Sequence, residues 1–332
     1  MNIKEYITQN QGETTLLGVC PMTEEIVKAA IIEAKNSNFV PMFIATPRQV
    51  DGDRGYTGWS QEGLVDFVGE VSDQYRYEGD WVLARDHGGP YQSFRDRGKG
   101  EISTARSMEY ARELFFQDVE AGFDVVHVDA TEDPGVEGRL GLNEIASRTA
   151  DLISDIEIYI QREDLSEVYY EVGTEEIAGG MTEPDNFERF IELLKNKLER
   201  QGVIDKVLFV VGQVGTTMRT DMTNDFDSDQ ARDLVDITSD HETYLKVHYT
   251  DWLNDSVLEG FPEIGIGAAN VGPEFAASQV EGLRKLEKKE AQLLEEKTWK
   301  EDVQIFSRPW SPLPSIKRPG ENLPLMSLVE IT

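Results

Sequence analysis

Residues 81–90, WVLARDHGGP, begin with an apolar run and end with charged residues and two glycines. Such a run is typical of a buried parallel strand that ends at a loop. Helical periodicity follows at residues 103–120, and a second apolar run follows at residues 125–129. A strand, a helix and another strand in this order form one unit of a parallel sheet. This part of the chain therefore predicts an α/β fold.

The same alternation extends in both directions and gives eight units. The predicted strands cover residues 16–19, 40–46, 81–85, 125–129, 168–172, 207–211, 244–248 and 264–270. The predicted helices lie near residues 23–36, 60–75, 103–120, 142–162, 184–200, 228–238, 251–259 and 274–297. Eight units in a chain of 332 residues fit a closed (β/α)8 barrel better than an open sheet, and no glycine-rich nucleotide-binding motif is found. We predict a barrel over residues 1–300 and a proline-rich C-terminal extension over residues 301–332.

The amino-acid composition argues against nucleic acids and membranes as binding partners. The formal net charge of −31 repels nucleic acid and anionic membranes, and no apolar stretch approaches the roughly 20 residues of a membrane span. The first twelve residues lack the pattern of a secretory signal, so a cytoplasmic protein is expected. Cys20, the single cysteine, is interpreted as a small core residue.

Polar residues gather at the ends of the predicted strands, where a barrel has its mouth. Three of the four histidines lie at or near such ends. Imidazole and carboxylate groups that converge from separate strands suit a divalent ion such as Zn²⁺ or Mn²⁺. The polar segments are residues 85–90, 127–129, 173–176, 212–213 and 246–251.

Several of these residues can be interpreted in two ways. His127 is equally compatible with a hydrogen-bonded core histidine and with a functional one, whereas the positions of His87 and His248 favour the site. Glu175 is preferred to its neighbour Glu176, because alternation sends only one of them inward. Asp86 could act as a general base, or it could only orient His87.

Two glycine-bearing loops could contact a ligand. Residues 55–58 combine glycine with Tyr56 and Thr57, and Gly272 precedes a long predicted helix whose free amides could bind phosphate. Tight turns need glycine for steric reasons alone, so neither loop is decisive.

Taken in order, these segments resemble the family of so-called non-catalytic subunits of class II D-tagatose-1,6-bisphosphate aldolase, which includes ketose and ketose-phosphate 4-epimerases. The resemblance spans roughly residues 15–295. It rests on residues 18–20, 45–46 with 49–50, 55–58, 86–90, 121–123 with 127–130, 173–175 with 179–180, 248–251 and 271–273. The chain departs from the family pattern at Ile44, where Glu is usual, and at Arg48, where Asn is usual; its C-terminal region is also shorter.

The resemblance implies a metal site and a sugar substrate. It suggests His87, Glu175 and His248 as metal ligands, and Asp86, Glu175 and Asp129 as catalytic residues. It also leads us to expect substrate contacts from Arg48, Gln49, Tyr56, Thr57, Gln213, Asp251 and Gly272. Arg48, Arg54 and Arg85 could supply positive charge for a phosphate, although Arg85 could point outward.

Two functions from different classes follow as expectations. The first is a metal-dependent epimerase that acts at C4 of a ketose or ketose phosphate, or an aldolase-type lyase on a related sugar phosphate. The second is a catalytically silent subunit that stabilises a class II aldolase partner. Homo-oligomers are compatible with both.

Overall fold

The structure is a computed structural model. The structure describes residues 1–93, 102–137, 139–174, 181–217 and 225–295. The predicted extension at residues 301–332 lies outside the described residues, so the division of the chain at residue 300 stays a prediction. Among the helices that are described, none is long and apolar enough to cross a membrane.

Eight parallel strands close into one barrel in sequence order, as the alternation predicts. Each strand pairs with its neighbours, and β1 closes the barrel against β8 through the register from Leu16 opposite Ala268 to Val19 opposite Val271. The strands are β1 (Leu16–Val19), β2 (Met42–Ala45), β3 (Val82–Gly88), β4 (Val125–Val128), β5 (Tyr169–Gly173), β6 (Val207–Val211), β7 (Tyr244–Val247) and β8 (Ala268–Val271).

Helices follow the strands and cover the outside of the barrel. Thr23 and Ser60 cap α2 and α3 by accepting hydrogen bonds from the amides of Ile26 and Gly63, as their positions in the sequence indicate. The helices are α1 (Ile3–Gln9), α2 (Glu24–Ser37), α3 (Gln61–Tyr75), α4 (Thr104–Ala121), α5 (Leu142–Glu163), α6 (Pro184–Leu198), α7 (Ser228–Asp240), α8 (Asp255–Leu258), α9 (Phe261–Ile264) and α10 (Pro273–Glu295).

Some strand ends are shifted, such as that of β3, which ends at Gly88 and not at residue 85, and three larger differences separate the structure from the sequence prediction. The N-terminal helix α1 was missed, although Ile3 and Ile7 bury one apolar face of it. The helix expected at residues 251–259 is instead a turn followed by the short helices α8 and α9. Because α9 extends to Ile264 and is capped by Gly265 with φ 97°, β8 begins at Ala268 and not at residue 264.

Arg85 lies on the outer face of β3, so it does not supply charge to the mouth. Its guanidinium is fully buried and binds both carboxylate oxygens of Asp118 on α4, at 2.8 and 2.5 Å. It also donates to the carbonyls of Ala45 and Val50 at 2.7 and 2.9 Å. Arg85 therefore joins β2, β3 and α4.

Replacing Arg85 with methionine should lower the free energy of unfolding by about 3–5 kcal/mol, because Asp118 would remain as a buried, unpaired charge. Urea unfolding followed by circular dichroism measures this change. Arg106→Met is the matched control, since the Arg106–Glu109 pair on the same helix is half exposed and should contribute less than about 1 kcal/mol. An Arg85→Met protein as stable as the control would contradict this role.

Candidate metal centre

A β-bulge in β3 brings two consecutive side chains into the barrel. Arg85 pairs with Val126 and Gly88 pairs with Val128, so Asp86 and His87 together lie opposite one residue of β4. Regular alternation would send these two side chains to opposite faces. His87 has a left-handed backbone (φ 47°), and its amide donates to Nδ1 of His127 at 3.1 Å.

Four side chains, three from β3, β4 and β5 and one from the residue after β7, meet inside the mouth. Asp86, His127, Glu171 and His248, which we call the buried quartet, each place one donor atom within 4.8 Å of the others. All four are buried, with at most 5% of any residue exposed. The donor types and their spacing could hold a metal ion.

His87 and His248 each contact a carboxylate through one ring nitrogen. Nδ1 of His87 lies 3.1 Å from Asp129, and Nε2 of His248 lies 2.9 Å from Glu171. Burial would raise the pKa of Asp129, but its contacts with His87 lower it to about 2. Burial likewise acts to raise the pKa of Glu171, but Lys246 and the nearby imidazoles lower it to about 2. Both carboxylates are therefore ionised, and both histidines donate to them.

The remaining ring nitrogens of these histidines point at each other. We call His87 and His248 the histidine pair. Nε2 of His87 and Nδ1 of His248 are 3.3 Å apart. A neutral imidazole that donates through one nitrogen presents a lone pair at the other. Two facing lone pairs repel, and a proton or a cation between the nitrogens would relieve this repulsion. Metal-bound histidines show the same pattern, with the second ring nitrogen on a carboxylate.

The charge balance of the site favours a divalent cation. Asp86, Asp129 and Glu171 carry three negative charges and Lys246 carries one positive charge, which leaves two negative charges when the imidazoles are neutral. Each of these four charged residues is at most 5% exposed, so hydration offsets little of the excess negative charge. Burial acts to raise the pKa of Asp86, but the histidines and Lys246 hold it well below the ordinary value.

Unsatisfied polar atoms also concentrate at this site. In the described part of the chain, four buried side-chain atoms have no hydrogen-bond partner, and two of them belong here: Nε2 of His127 and Oδ1 of Asn270. The amide nitrogen of Asn270 donates to Asp86 at 3.3 Å. Buried polar atoms are normally satisfied, so such a concentration fits a site that takes up a bound group.

Three of the predicted ligand and catalytic residues are brought together by the structure, and a fourth is adjacent. Asp86, His87 and His248 lie in one constellation, and Asp129 contacts it through His87. Glu175 lies outside the described residues, so its two predicted roles stay predictions.

The loop after β2 holds the predicted contacts Arg48, Gln49, Tyr56 and Thr57. Gln49 is buried and accepts from the amide of Thr46 at 2.9 Å. The Tyr56 residue is largely exposed, but its side chain hydrogen-bonds Gln49, and burial of its hydroxyl raises its pKa to about 12. The hydroxyl of Thr57 donates to the carbonyl of Gln49 at 2.6 Å, and the amide of Tyr56 donates to the carbonyl of Arg48. These bonds order the loop, and substrate contact by its side chains stays a prediction.

Asp251 and Gly272, two further predicted contacts, hydrogen-bond to each other. Asp251 accepts from the amides of Gly272 and Glu274 at 2.9 and 2.8 Å and so caps the start of α10. The Gly272 amide is thus occupied by a carboxylate, which opposes phosphate at this position. Cys20 lies beside Gly272, and burial raises the pKa of its thiol well above the ordinary value, in agreement with a core residue.

A cavity of about 630 Å³ adjoins the site on the side of β4, β5 and β6. Gln213 lies at its wall, and Thr131 connects it to the site by donating to Asp129. Its polar lining includes Thr131, Thr174, Thr182, Asn186 and Gln213.

Sequence reasoning missed Glu171 and Gln92, and it gave no role to Lys246, the first residue of the polar segment 246–251. Glu171 and Lys246 form a buried ion pair, and Gln92 donates to Asp129 at 3.1 Å. The signal for the ion pair was present, since each is the one charged residue in an otherwise apolar strand, YYEVG and YLKV. Opposite charges in two such strands indicate a pair inside the barrel.

The fold and the site together define a (β/α)8 protein with a histidine and carboxylate centre at the C-terminal ends of its strands. The chain belongs to the GatZ/KbaZ-like family, described as D-tagatose-1,6-bisphosphate aldolase subunit GatZ/KbaZ-like, whose model matches residues 3–309. This agrees with the resemblance found in the sequence.

Solved structures with a similar fold include sugar-phosphate proteins. A probable tagatose 6 phosphate kinase from Sinorhizobium meliloti 1021 has a TM-score of 0.68 at 23% identity; the match covers 79% of this chain, which spans 65% of that protein's length. The YdjI aldolase from Escherichia coli K12 has a TM-score of 0.57 at 13% identity, with 85% of each chain covered. The fructose-bisphosphate aldolase from Campylobacter jejuni has a TM-score of 0.60 at 13% identity, over 86% of this chain and 79% of that one. At these identities the similarity supports the fold alone.

Proposed function

We propose that the chain is a metal-dependent epimerase that acts at C4 of a ketose or ketose phosphate by retro-aldol and aldol steps. The observation that carries this proposal is the 3.3 Å contact between the facing nitrogens of the histidine pair. Family membership supports carbon–carbon bond chemistry on a sugar.

His87 and His248 are the proposed ligands, through Nε2 and Nδ1, with Glu175 kept as the third. Imidazole with carboxylate suits Zn²⁺ or Mn²⁺. Such an ion would supply polarisation of the ketose carbonyl and would offset the negative charge that develops on its oxygen. Asp129 and Glu171 hold the two imidazoles in place, each by one hydrogen bond.

Asp86 is the proposed proton acceptor. It is ionised, buried beside both histidines and oriented by the amide of Asn270. Asp86 takes the proton of the C4 hydroxyl, the O–H electron pair forms the C4 carbonyl, and the C3–C4 pair passes into the enediolate fragment. The aldehyde turns over, the C3–C4 bond re-forms on its other face, and Asp86 returns the proton to the new hydroxyl. Release of the two fragments before they rejoin would make the same chemistry an aldolase reaction.

A second candidate is a non-catalytic subunit that stabilises a class II aldolase partner. The observation that favours it is the family description, which names an aldolase subunit. The substrate-sized cavity beside the site favours the epimerase instead.

The purified full chain should interconvert fructose and tagatose, or their phosphates, at C4 when Mn²⁺ or Zn²⁺ is added. Nuclear magnetic resonance in deuterated water measures the reaction. Solvent deuterium should not enter C4, because retro-aldol cleavage leaves the C4–H bond intact. Accumulation of free aldehyde would identify a lyase, and deuterium at C4 would contradict the proposed chemistry. Absence of metal binding and turnover, combined with a higher melting temperature of an added aldolase subunit, would support the silent subunit.

A further inference from the structure

Lys246 is a charged residue inside the barrel that the proposed reaction does not use. It lies in β7, is fully buried, and its ammonium is 2.5 Å from Oε2 of Glu171 on β5, which is also fully buried. Its charge lies 5.7 Å from the centre of the Phe209 ring. With no exposed surface on either partner, Lys246 is not placed to contact a substrate.

Stability alone does not account for this ion pair. Replacing a buried ion pair with apolar residues of similar volume is often neutral or stabilising, because desolvation of both charges costs more than their attraction returns. Phe209, which lies beside Lys246, belongs to an apolar cluster that also includes Leu208. A methionine at position 246 would suit these apolar surroundings, so stability does not explain why a charged residue is present there.

The geometry of Glu171 provides one. Its oxygen Oε2 is bound by Lys246, and its oxygen Oε1 accepts from Nε2 of His248 at 2.9 Å. The opposite nitrogen of that ring, Nδ1, faces His87 at 3.3 Å. A single chain of contacts therefore runs from Lys246 through the carboxylate to the histidine pair.

We propose that Lys246 is a positioning residue for the metal centre: it holds the Glu171 carboxylate so that His248 donates through Nε2 and directs Nδ1 toward the ion. The inference rests on the proposed function, because it assumes that the histidine pair binds the metal. Groups that act through a metal-bound histidine set its tautomer and its ring orientation.

The test compares Co²⁺ binding by the wild-type chain, Lys246→Met and Lys206→Met. Lys206 forms a similar pair with the buried Glu157, at 2.7 Å, away from the mouth, and serves as the matched control. Lys246→Met should bind Co²⁺ about 10–100-fold more weakly, as expected for loss of a group that orients a ligand. Its visible Co²⁺ spectrum should shift, because the ring of His248 is no longer fixed. Lys206→Met should keep both the wild-type affinity and the wild-type spectrum.

A double variant, Glu171→Leu with Lys246→Met, covers the case in which the single variant does not fold. It removes both buried charges, so it should fold, yet it should bind Co²⁺ as weakly as expected for Lys246→Met because His248 has lost its acceptor. Wild-type affinity and spectrum in a folded Lys246 variant would overturn the positioning role. Failure of the wild-type chain itself to bind Co²⁺ would instead refute the proposed function.

Discussion

Replacing His87 with alanine should weaken Co²⁺ binding by more than about a hundredfold, because loss of a mere supporting group already costs about 10–100-fold. His248→Ala should have an effect of the same size, since the two rings contribute the facing nitrogens. Metal content by mass spectrometry and affinity by titration with a competing chelator measure both variants. Turnover should fall together with metal content.

His127→Gln is the informative comparison. His127 belongs to the buried quartet, but its Nδ1 accepts the amide of His87, and a glutamine carbonyl could accept the same bond. We therefore expect metal affinity to change by less than about tenfold in this variant. If His127→Gln lost the metal while His87→Ala retained it, the ion would belong to the quartet and the histidine pair would not be the site.

Asp86→Asn should keep the metal bound while lowering turnover by at least about a hundredfold, the scale of a general acid–base contribution. Asparagine preserves the size of the side chain but removes the charge that accepts the proton. The measurement is the turnover number at saturating sugar, with metal content determined on the same sample. Loss of the metal would indicate that Asp86 is a metal ligand, and unchanged turnover would show that Asp86 is not the proton acceptor.

Asp124→Asn is a matched control for Asp86→Asn. Asp124 lies just before β4, at the end of the barrel opposite the mouth, and accepts from the amide of Leu83 at 2.8 Å. An asparagine oxygen can accept the same bond. Turnover of this variant should equal that of the wild type, which separates the loss of a particular carboxylate from a general effect on the barrel.

Much of the fold is encoded locally. Apolar runs that alternate with amphipathic helices predict eight units, and the polar residues that follow the strands predict the position of the mouth. Residues such as Asp86, His87 and His248 could be proposed for the site because strand ends converge in a closed barrel, whatever the details of packing. The strand boundary before Ala268 could not be predicted, since short helices and apolar strands share the same composition.

The sequence by itself determined the barrel, the end of it that carries the site, and the imidazole and carboxylate chemistry available there, because these depend on periodicity and residue type. Only the tertiary structure decided which groups meet. The bulge in β3 turns Asp86 and His87 into the barrel together, and side chains from β5 and β7, which are not paired strands, meet inside the barrel and join Glu171 to Lys246. The bulge and the ion pair both depend on strand register and on contacts between residues far apart in the chain, and local sequence patterns carry no information about either.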